Sequence, residues 1–302
     1  HDLGLLYFAT LSYADEVTGS ASHRYLFRES NSARMSARVL GEYLGWNMPR
    51  QRYHYILVDD TWGRSIETEL RTSTASQDRA RHGRSALPAH AAMRKDYLAA
   101  LSKAAASDAD ILVLALLGDD LQRTLRLAHN LKLHTRMQII VPHLSKSIVQ
   151  QIGPKVMAGV IGTEAWTWQV PAQEQSASGQ AFVQAYIGHY QEYPASSAAS
   201  AYSIVMQWAD AVRRSGSLAS EPLIDALEDH RYSLLKGPQQ WRAFDHQNVQ
   251  NIYAVRVRSR QHIMQDPLKQ DYFEIIHQMA GDSAAPSLDD WQQERGDQLS
   301  LQ

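Results

Sequence analysis

Apolar positions between residues 53 and 163 form short blocks that alternate with amphipathic stretches. Four of the blocks are nearly continuous apolar runs, which is typical of parallel strands covered on both faces: Tyr53–Val58, 110–117, 137–141 and 159–163. The stretches that follow them have helical spacing: 64–74, 92–106, 121–133 and 147–152. This repeated alternation predicts an α/β fold with a parallel sheet and helices on both of its faces.

The two ends of the chain have different patterns. Two short apolar blocks, 4–8 and 25–28, precede a helix that Asn31 or Ser32 can cap. Two strands alone do not make a domain, so either later residues complete this sheet or its first part is absent from the sequence.

The second half of the chain is predicted to be mainly helical. Helices are predicted over 175–193, 197–215 and 221–229, followed by a hairpin of 241–244 with 252–257. The polar segment from Gly281 is predicted to be a loose tail.

Composition narrows the class of protein. A length of 302 residues favours two domains, and 30 basic against 32 acidic residues indicate no general attraction to nucleic acid. No apolar run reaches the roughly 18 residues that cross a membrane. The chain has no cysteine, which excludes disulfides, thiolate metal sites and cysteine nucleophiles.

Sequence motifs for catalysis and cofactor binding are also missing. There is no G-x-G-x-x-G, P-loop, H-E-x-x-H or G-x-S-x-G motif, so no cofactor, metal site or catalytic residue is predicted. Asp245 and His246 are adjacent, and neighbours on a strand face opposite sides, which argues against joint metal ligation.

Three tryptophans are candidates for ligand contact. Trp62 follows Asp59 and Asp60 in the exit turn of a predicted strand, at the edge where α/β sheets bind ligands. Trp166 and Trp168 lie two residues apart after another strand, on one face of an extended segment. Core packing and a ligand-pocket wall are both open interpretations of this pair.

Residues 193–217 carry a more specific resemblance. Tyr193-Pro-Ala-Ser-Ser-Ala-Ala-Ser-Ala-Tyr202 and the segment 209–217 resemble a late lobe-one helix of type I periplasmic binding proteins, especially the branched-chain amino-acid and amide receptors of ABC importers. Further segments resemble this family in the same order: 4–13, 25–28, 53–63, 139–143 and 242–247 with Tyr253.

The resemblance implies two Rossmann-like lobes with a central cleft and three crossovers. Lobe one would comprise 1–28 and 164–248, lobe two 29–163 and 249–280, and a polar tail 281–302. Family members carry two or three further β-α units before the point that matches residue 1, so the resemblance implies that the first part of lobe one is absent from this sequence.

The resemblance also implies a set of ligand-binding residues. They are Ser12, Tyr13, Trp62, Gly118, Asp119, His143 and Trp166. Amino-acid receptors of the family usually have an acidic residue near the position of His143. A histidine there argues against a branched-chain amino acid ligand unless Asp119 or Asp60 substitutes, and it leaves aromatic and amide-like ligands open.

The predicted function is an extracytoplasmic, periplasmic receptor without catalysis, which closes on a small polar ligand and delivers it to an ABC importer. The implied partners are that ligand and ABC permease subunits, with no nucleic acid and no membrane span of its own. A sensor domain of a signalling or regulatory protein is one alternative. An α/β enzyme that uses Asp59, Asp60, Asp119 or His143 as acid and base is the other.

Overall fold

The structure is a computed structural model that describes residues 3–89, 92–296 and 300–301. Its strands, in chain order, are β1 (Tyr7–Ala9), β2 (Leu26–Arg28), β3 (Tyr53–Val58), β4 (Gly83–Leu87), β5 (Ile111–Ala115), β6 (Gln138–His143), β7 (Ile161–Glu164), β8 (Arg231–Tyr232), β9 (Gln239–Trp241), β10 (Asn248–Val249), β11 (Ile252–Val257) and β12 (Phe273–Met279).

The α-helices are α1 (Ala33–Asn47), α2 (Thr61–Ser73), α3 (Arg94–Ala105), α4 (Gly118–Asn130), α5 (Lys146–Ile152), α6 (Pro154–Met157), α7 (Val170–Gln173), α8 (Ala177–Tyr190), α9 (Ser196–Ser215), α10 (Ser220–Leu227), α11 (Arg260–Gln265), α12 (Gly281–Ala284) and α13 (Leu288–Arg295). The chain divides into two compact units. Unit 1 is His1–Met35, Ala165–Ile252 and Met279–Gln302, and unit 2 is Ser36–Glu164 and Tyr253–Gln278.

Unit 2 contains a seven-stranded sheet in the order β12-β11-β7-β6-β5-β3-β4 among the described residues. The five strands from β4 to β7 are parallel, and β11 runs antiparallel to β7. Every residue of β3 and β5 is buried, because helices cover both faces of a sheet of this kind. The predicted parallel sheet is therefore confirmed, and the polar stretch 76–91 supplies its edge strand β4.

Unit 1 contains two small sheets. Strands β1 and β2 pair in parallel, with Tyr7 opposite Leu26, and β10, β9 and β8 form an antiparallel sheet. Phe27 and Trp241 meet edge to face with ring centroids 5.6 Å apart, and they pack in one core cluster with Leu223 and Leu227 of α10.

The hairpin predicted from 241–244 and 252–257 is wrong in its second arm. Trp241 of β9 pairs with Asn248 of β10, whereas β11 joins the sheet of unit 2 beside β7. The physical reason is that Ile252–Val257 is apolar on both faces, which suits a covered sheet better than a hairpin arm.

The prediction of a loose tail after Gly281 is also wrong. Trp291 of α13 is buried and its indole N–H donates to the Thr18 carbonyl at 3.0 Å. Arg295, one turn further on, donates to the Gly19 carbonyl at 2.9 Å. These two side chains lie on one face of α13. A helix that is polar overall therefore still packs against the loop that contains Thr18 and Gly19.

Candidate functional site

The carboxyl edge of the unit 2 sheet gathers three of the predicted site segments. β5 lies between β3 and β6, and the three strands are parallel. They therefore end at the same edge, where β3 leads to Trp62, β5 leads to Gly118 and β6 ends at His143. This is the edge at which open α/β sheets bind their ligands.

Trp62 is fixed by the way that α2 begins. The Asp60 carboxylate caps the helix by accepting from the Gly63 amide at 2.7 Å. A Cβ on residue 63 would lie 2.1 Å from the Val58 carbonyl oxygen, so glycine is required for α2 to start this close to β3. Trp62, in the first turn, is thereby held over the strand ends.

The Trp62 and His143 rings lie close together at this edge, tilted relative to each other. Their ring centroids are 5.7 Å apart with an interplanar angle of 51°, and both side chains are buried. Since β5 separates their strands, the two rings converge over the end of that middle strand. The buried Trp62 indole N–H has no acceptor among the residues that the structure describes.

A short chain of hydrogen bonds holds His143. Its Nε2 lies 3.0 Å from the Ser36 hydroxyl, which is 3.2 Å from the Thr163 hydroxyl. The Thr163 hydroxyl also donates to the Pro142 carbonyl. Ser36 and Thr163 are both fully buried, so these contacts fix the orientation of the imidazole ring. Sequence reasoning missed both hydroxyls because α1 and β7 are far from His143 in the chain.

Gly118 and Asp119 are at the start of α4. Gly118 has a φ of 51°, which favours glycine, and its position has open space where a Cβ would stand. The Asp119 side chain is 84% exposed and lies 3.7 Å from Arg123 on the same helix. Gly118 thus belongs to the edge, whereas Asp119 extends into solvent.

In unit 1 the loops that follow β1 and β2 are hydrogen-bonded to each other. The Ser30 hydroxyl donates to the Ser12 carbonyl at 3.2 Å, and the Ala33 amide donates to the Tyr13 carbonyl at 2.7 Å. Ser12 and Tyr13, predicted from the first loop, therefore lie beside residues 29–33, which sequence reasoning did not consider.

The most notable of these residues is Glu29, the first residue after β2. It is buried, and its Oε2 accepts a hydrogen bond from the Ser200 hydroxyl of α9. A carboxylate directly after an apolar strand was the sequence signal for it. The same signal singled out Asp59 and Asp60 after β3.

Trp166 and Trp168 have separate environments. Trp166 is buried, donates to the Leu235 carbonyl at 3.2 Å and meets Phe182 edge to face. Its contacts are those of core packing, one of the two interpretations considered for this pair. Trp168 stacks on Tyr193 at 4.1 Å, and its buried indole N–H has no acceptor in the described part of the chain.

Asp245 and His246 each have other partners. Asp245 accepts from Arg242, while His246 stacks on Phe27 at 3.8 Å and lies 2.9 Å from Glu228. Within residues 3–89, 92–296 and 300–301, no group of three or more His, Asp or Glu is placed to hold a metal ion.

Residues 2–262 match the family model described as periplasmic binding protein. The chain belongs to the periplasmic binding protein family. As the resemblance implied, the fold of this binding protein is the type I fold of ABC-transporter receptors.

Solved structures agree with this assignment at low identity. An amino acid ABC transporter substrate-binding protein from Pseudomonas fluorescens is similar, with a TM-score of 0.78, 21% identity and coverage of 94% of this chain and 74% of that one. A leucine-, isoleucine-, valine-, threonine- and alanine-binding protein from Brucella ovis is similar with a TM-score of 0.73 and 18% identity. The match covers 93% of this chain and 71% of that one. A solute-binding protein from R. palustris in complex with benzoate is similar with a TM-score of 0.74 and 16% identity. The match covers 93% of this chain and 72% of that one.

No curated protein matches the chain significantly. Among the described residues of this binding protein, no helix combines the length and the apolar character needed to cross a membrane.

Membership in this family makes the chain a binding protein and not an enzyme. The carboxylates named for the enzyme alternative have structural or solvent contacts instead. Asp60 caps α2, Asp59 pairs with Arg64 at 3.1 Å, and Asp119 is exposed. The neighbouring Asp120 accepts from the Tyr97 hydroxyl; burial and this hydrogen bond raise the pKa of Tyr97 to about 12.

Proposed function

We propose that this periplasmic binding protein is an extracytoplasmic receptor that closes on one small polar solute and delivers it to the permease subunits of an ABC importer. The observation that carries the proposal is the Trp62–His143 pair over the end of β5. A buried indole N–H without an acceptor is costly in a folded protein, and an acceptor group of a ligand at this edge would remove that cost.

The chemistry of this edge fits a ligand with an acceptor group beside a flat or apolar body. Trp62 offers an N–H donor and a ring face, and His143 offers a second polar contact that is held by Ser36. Solute-binding pockets typically combine such an apolar wall with a few placed polar groups. The similar proteins named above bind amino acids or benzoate, which supports an amino acid, an amide or an aromatic acid as the solute class.

The test is a thermal-shift screen of the full chain against amino acids, carboxamides and aromatic carboxylates. A ligand that binds only the folded state at one hundred times its Kd adds about 2.7 kcal/mol of stability, so one chemical class is expected to raise Tm by several degrees. If no compound of the three classes raises Tm, and titration calorimetry on the same panel gives no heat, the proposed function is contradicted.

A further inference from the structure

The amino edge of the unit 2 sheet, opposite to the Trp62–His143 pair, contains a cleft of about 570 Å³. Strands β4, β3 and β5 are adjacent and parallel, so the segments that precede them meet at this edge. Those segments and the end of α3 line the cleft, and all of them belong to unit 2. Its volume is within the range of small-molecule sites, about 300–1,000 Å³.

Arginine side chains gather around this amino-edge cleft. Arg52 and Arg81 line it, and Arg79 lies in the chain between two other lining residues. The Arg81 guanidinium donates to the Arg50 carbonyl at 3.1 Å, and Arg136 donates to the carbonyl of the last residue of α3 at 3.0 Å. These five side chains therefore share one edge of the sheet, although they come from four separate segments.

Three aspartates lie at the same edge, and each has a local contact. Asp108 pairs with Arg52 at 2.9 Å, and Asp110 accepts from the Arg52 backbone amide at 2.9 Å. Asp78 accepts from the Ala80 amide at 2.9 Å, which fixes the turn before β4. One arginine of the edge is thus paired with a carboxylate.

The other four arginines have no such partner. Within the ranges that the structure describes, no carboxylate forms an ion pair with any of them: Arg50, Arg79, Arg81 and Arg136. Five arginines against three aspartates give this edge an excess of positive charge, although the formal net charge of the chain is −2. Like charges held at one edge repel each other, and a bound anion would reduce that repulsion.

A buried imidazole beside the cleft responds to this charge. His82 is 4% exposed, and its Nδ1 accepts from the backbone amide of Tyr53, which lines the cleft. Burial lowers the pKa of His82, the charges of Arg81 and Arg71 lower it further, and the Asp78 carboxylate opposes them. The arginine charges therefore reach the residues behind the cleft.

We propose that the amino-edge cleft binds a small anion that carries two or more carboxylate or phosphate groups. A guanidinium matches the oxygens of either group with two parallel N–H donors, and Arg81 has more donors than its one carbonyl contact uses. Several separate arginines need more than one anionic group to contact them together. The site lies at the other edge of the sheet from the proposed solute, so it is a second binding function of unit 2.

Titration calorimetry of the full chain with citrate, inorganic pyrophosphate and acetate tests the proposal. The salt is about 0.15 M sodium chloride, in which charges more than roughly 8 Å apart are largely screened. Citrate or pyrophosphate is expected to bind with a Kd of about 1 mM or lower, and singly charged acetate at least about tenfold more weakly. Binding of citrate alone indicates a carboxylate ligand, and binding of pyrophosphate alone indicates a phosphate ligand. If neither binds, the proposal is overturned.

Variants locate the bound anion. Arg81→Ala is expected to weaken binding about tenfold at an unchanged Tm, because its exposed side chain contacts only a carbonyl. Arg81→Lys keeps the charge without the fork and is expected to lose less. Arg123→Ala removes the same charge from α4, where the side chain is 58% exposed, and is expected to bind as the wild type does. Equal losses in Arg81→Ala and Arg123→Ala would show unspecific charge attraction and overturn the site.

Two further measurements separate this cleft from the solute site. Trp62→Ala is expected to keep the affinity for the anion, whereas a loss in Trp62→Ala with wild-type binding in Arg81→Ala would place the anion at the carboxyl edge instead. In NMR titrations, a saturating anion is expected to raise the pKa of His82 and to leave that of the exposed His189 unchanged. An unchanged pKa of His82 at saturation would overturn the proposal, and the receptor function would stand.

Discussion

Two buried polar regions of unit 2 differ in how fully their groups are satisfied. In the first, Arg71 contacts Glu67, the carbonyls of Ser76 and His82, and the face of the Tyr55 ring, whose centroid is 4.3 Å away. We call Glu67, Arg71 and Arg84 the arginine cluster. In the second, the Trp62–His143 edge, a buried N–H has no acceptor in the described part of the protein.

The difference indicates two roles. A cluster whose donors and acceptors are all matched stabilises the packing of α2 on β3 and β4, and it offers nothing to a ligand. An edge with an unmatched donor is less stable by itself and is suited to binding. The account therefore predicts that substitutions in the first region change stability and that substitutions in the second change affinity.

The largest effect is expected from Arg71→Ala. The variant leaves Glu67 paired with Arg84 alone, and it removes the donor to the buried carbonyls of Ser76 and His82. Breaking a buried pair costs about 3–5 kcal/mol, or about 10 °C in Tm, which differential scanning calorimetry measures. Arg64→Ala, which breaks the exposed pair with Asp59, is expected to cost less than about 1 kcal/mol. Equal losses for the two variants would remove the distinction drawn for the arginine cluster.

A smaller effect is expected from His54, which is close enough to Arg71 of the arginine cluster to feel its charge. This effect is on the pH dependence of the free energy of unfolding. Burial, followed by the charges of Lys103 and Arg71, lowers the pKa of His54 to about 4. The unfolded chain has an ordinary histidine pKa near 6.5, so it binds more protons than the folded chain between these values. Stability is therefore unaffected by His54 above pH 6.5 and falls as the pH is lowered from 6.5 towards 4.

His54→Asn tests this pH dependence. Thermal melts across pH 4–7 are expected to show a shallower acid loss for His54→Asn than for the wild type. His189→Asn, at an exposed position of α8, is expected to melt with the wild-type slope. A wild-type slope in His54→Asn would show that His54 does not contribute to the acid sensitivity.

A smaller change in stability, with a loss of affinity, is expected from Ser36→Ala at the Trp62–His143 edge. The variant removes the hydroxyl that holds His143 Nε2, and one hydrogen bond of this kind contributes about 1 kcal/mol, or about fivefold in affinity. The loss is expected to disappear in a His143→Ala background, as titration of the double mutant measures. In the control variant Ser107→Ala, the lost hydroxyl donates to the Ala104 carbonyl in the last turn of α3, and this variant is expected to bind as the wild type does. An equal loss in the His143→Ala background would contradict the positioning role of Ser36.

The sequence was most informative where one local pattern determines an element. β3 has the predicted bounds because five of its six residues are apolar or aromatic and charged residues follow them. The predicted cap of α1 is also present, since the Met35 amide donates to the Ser32 hydroxyl. Trp62 was identifiable because its position after a strand predicts the carboxyl edge of the sheet.

Contacts between distant segments could not be predicted from such patterns. Ser36 is 107 positions from His143 in the chain, and Thr163 is 20 positions from it. The folded sheet, and not the local sequence, places these hydroxyls beside the imidazole ring. Glu29 and Ser200 are 171 positions apart, and neither has a local signal that names the other. The burial of α13 depends on Thr18 and Gly19, which the polar composition of residues 281–302 does not indicate.

The most direct measurement is the affinity of Trp62→Ala for the solute that gives the largest thermal shift, beside Trp62→Phe and Trp46→Ala. Trp46 is 69% exposed on α1 of the same unit and serves as the matched control. We predict that Trp62→Ala weakens binding at least tenfold, that Trp62→Phe loses the contribution of the N–H and keeps that of the ring, and that Trp46→Ala binds normally. Equal affinities for Trp62→Ala and the wild type would contradict the placement of the ligand at the carboxyl edge of the unit 2 sheet.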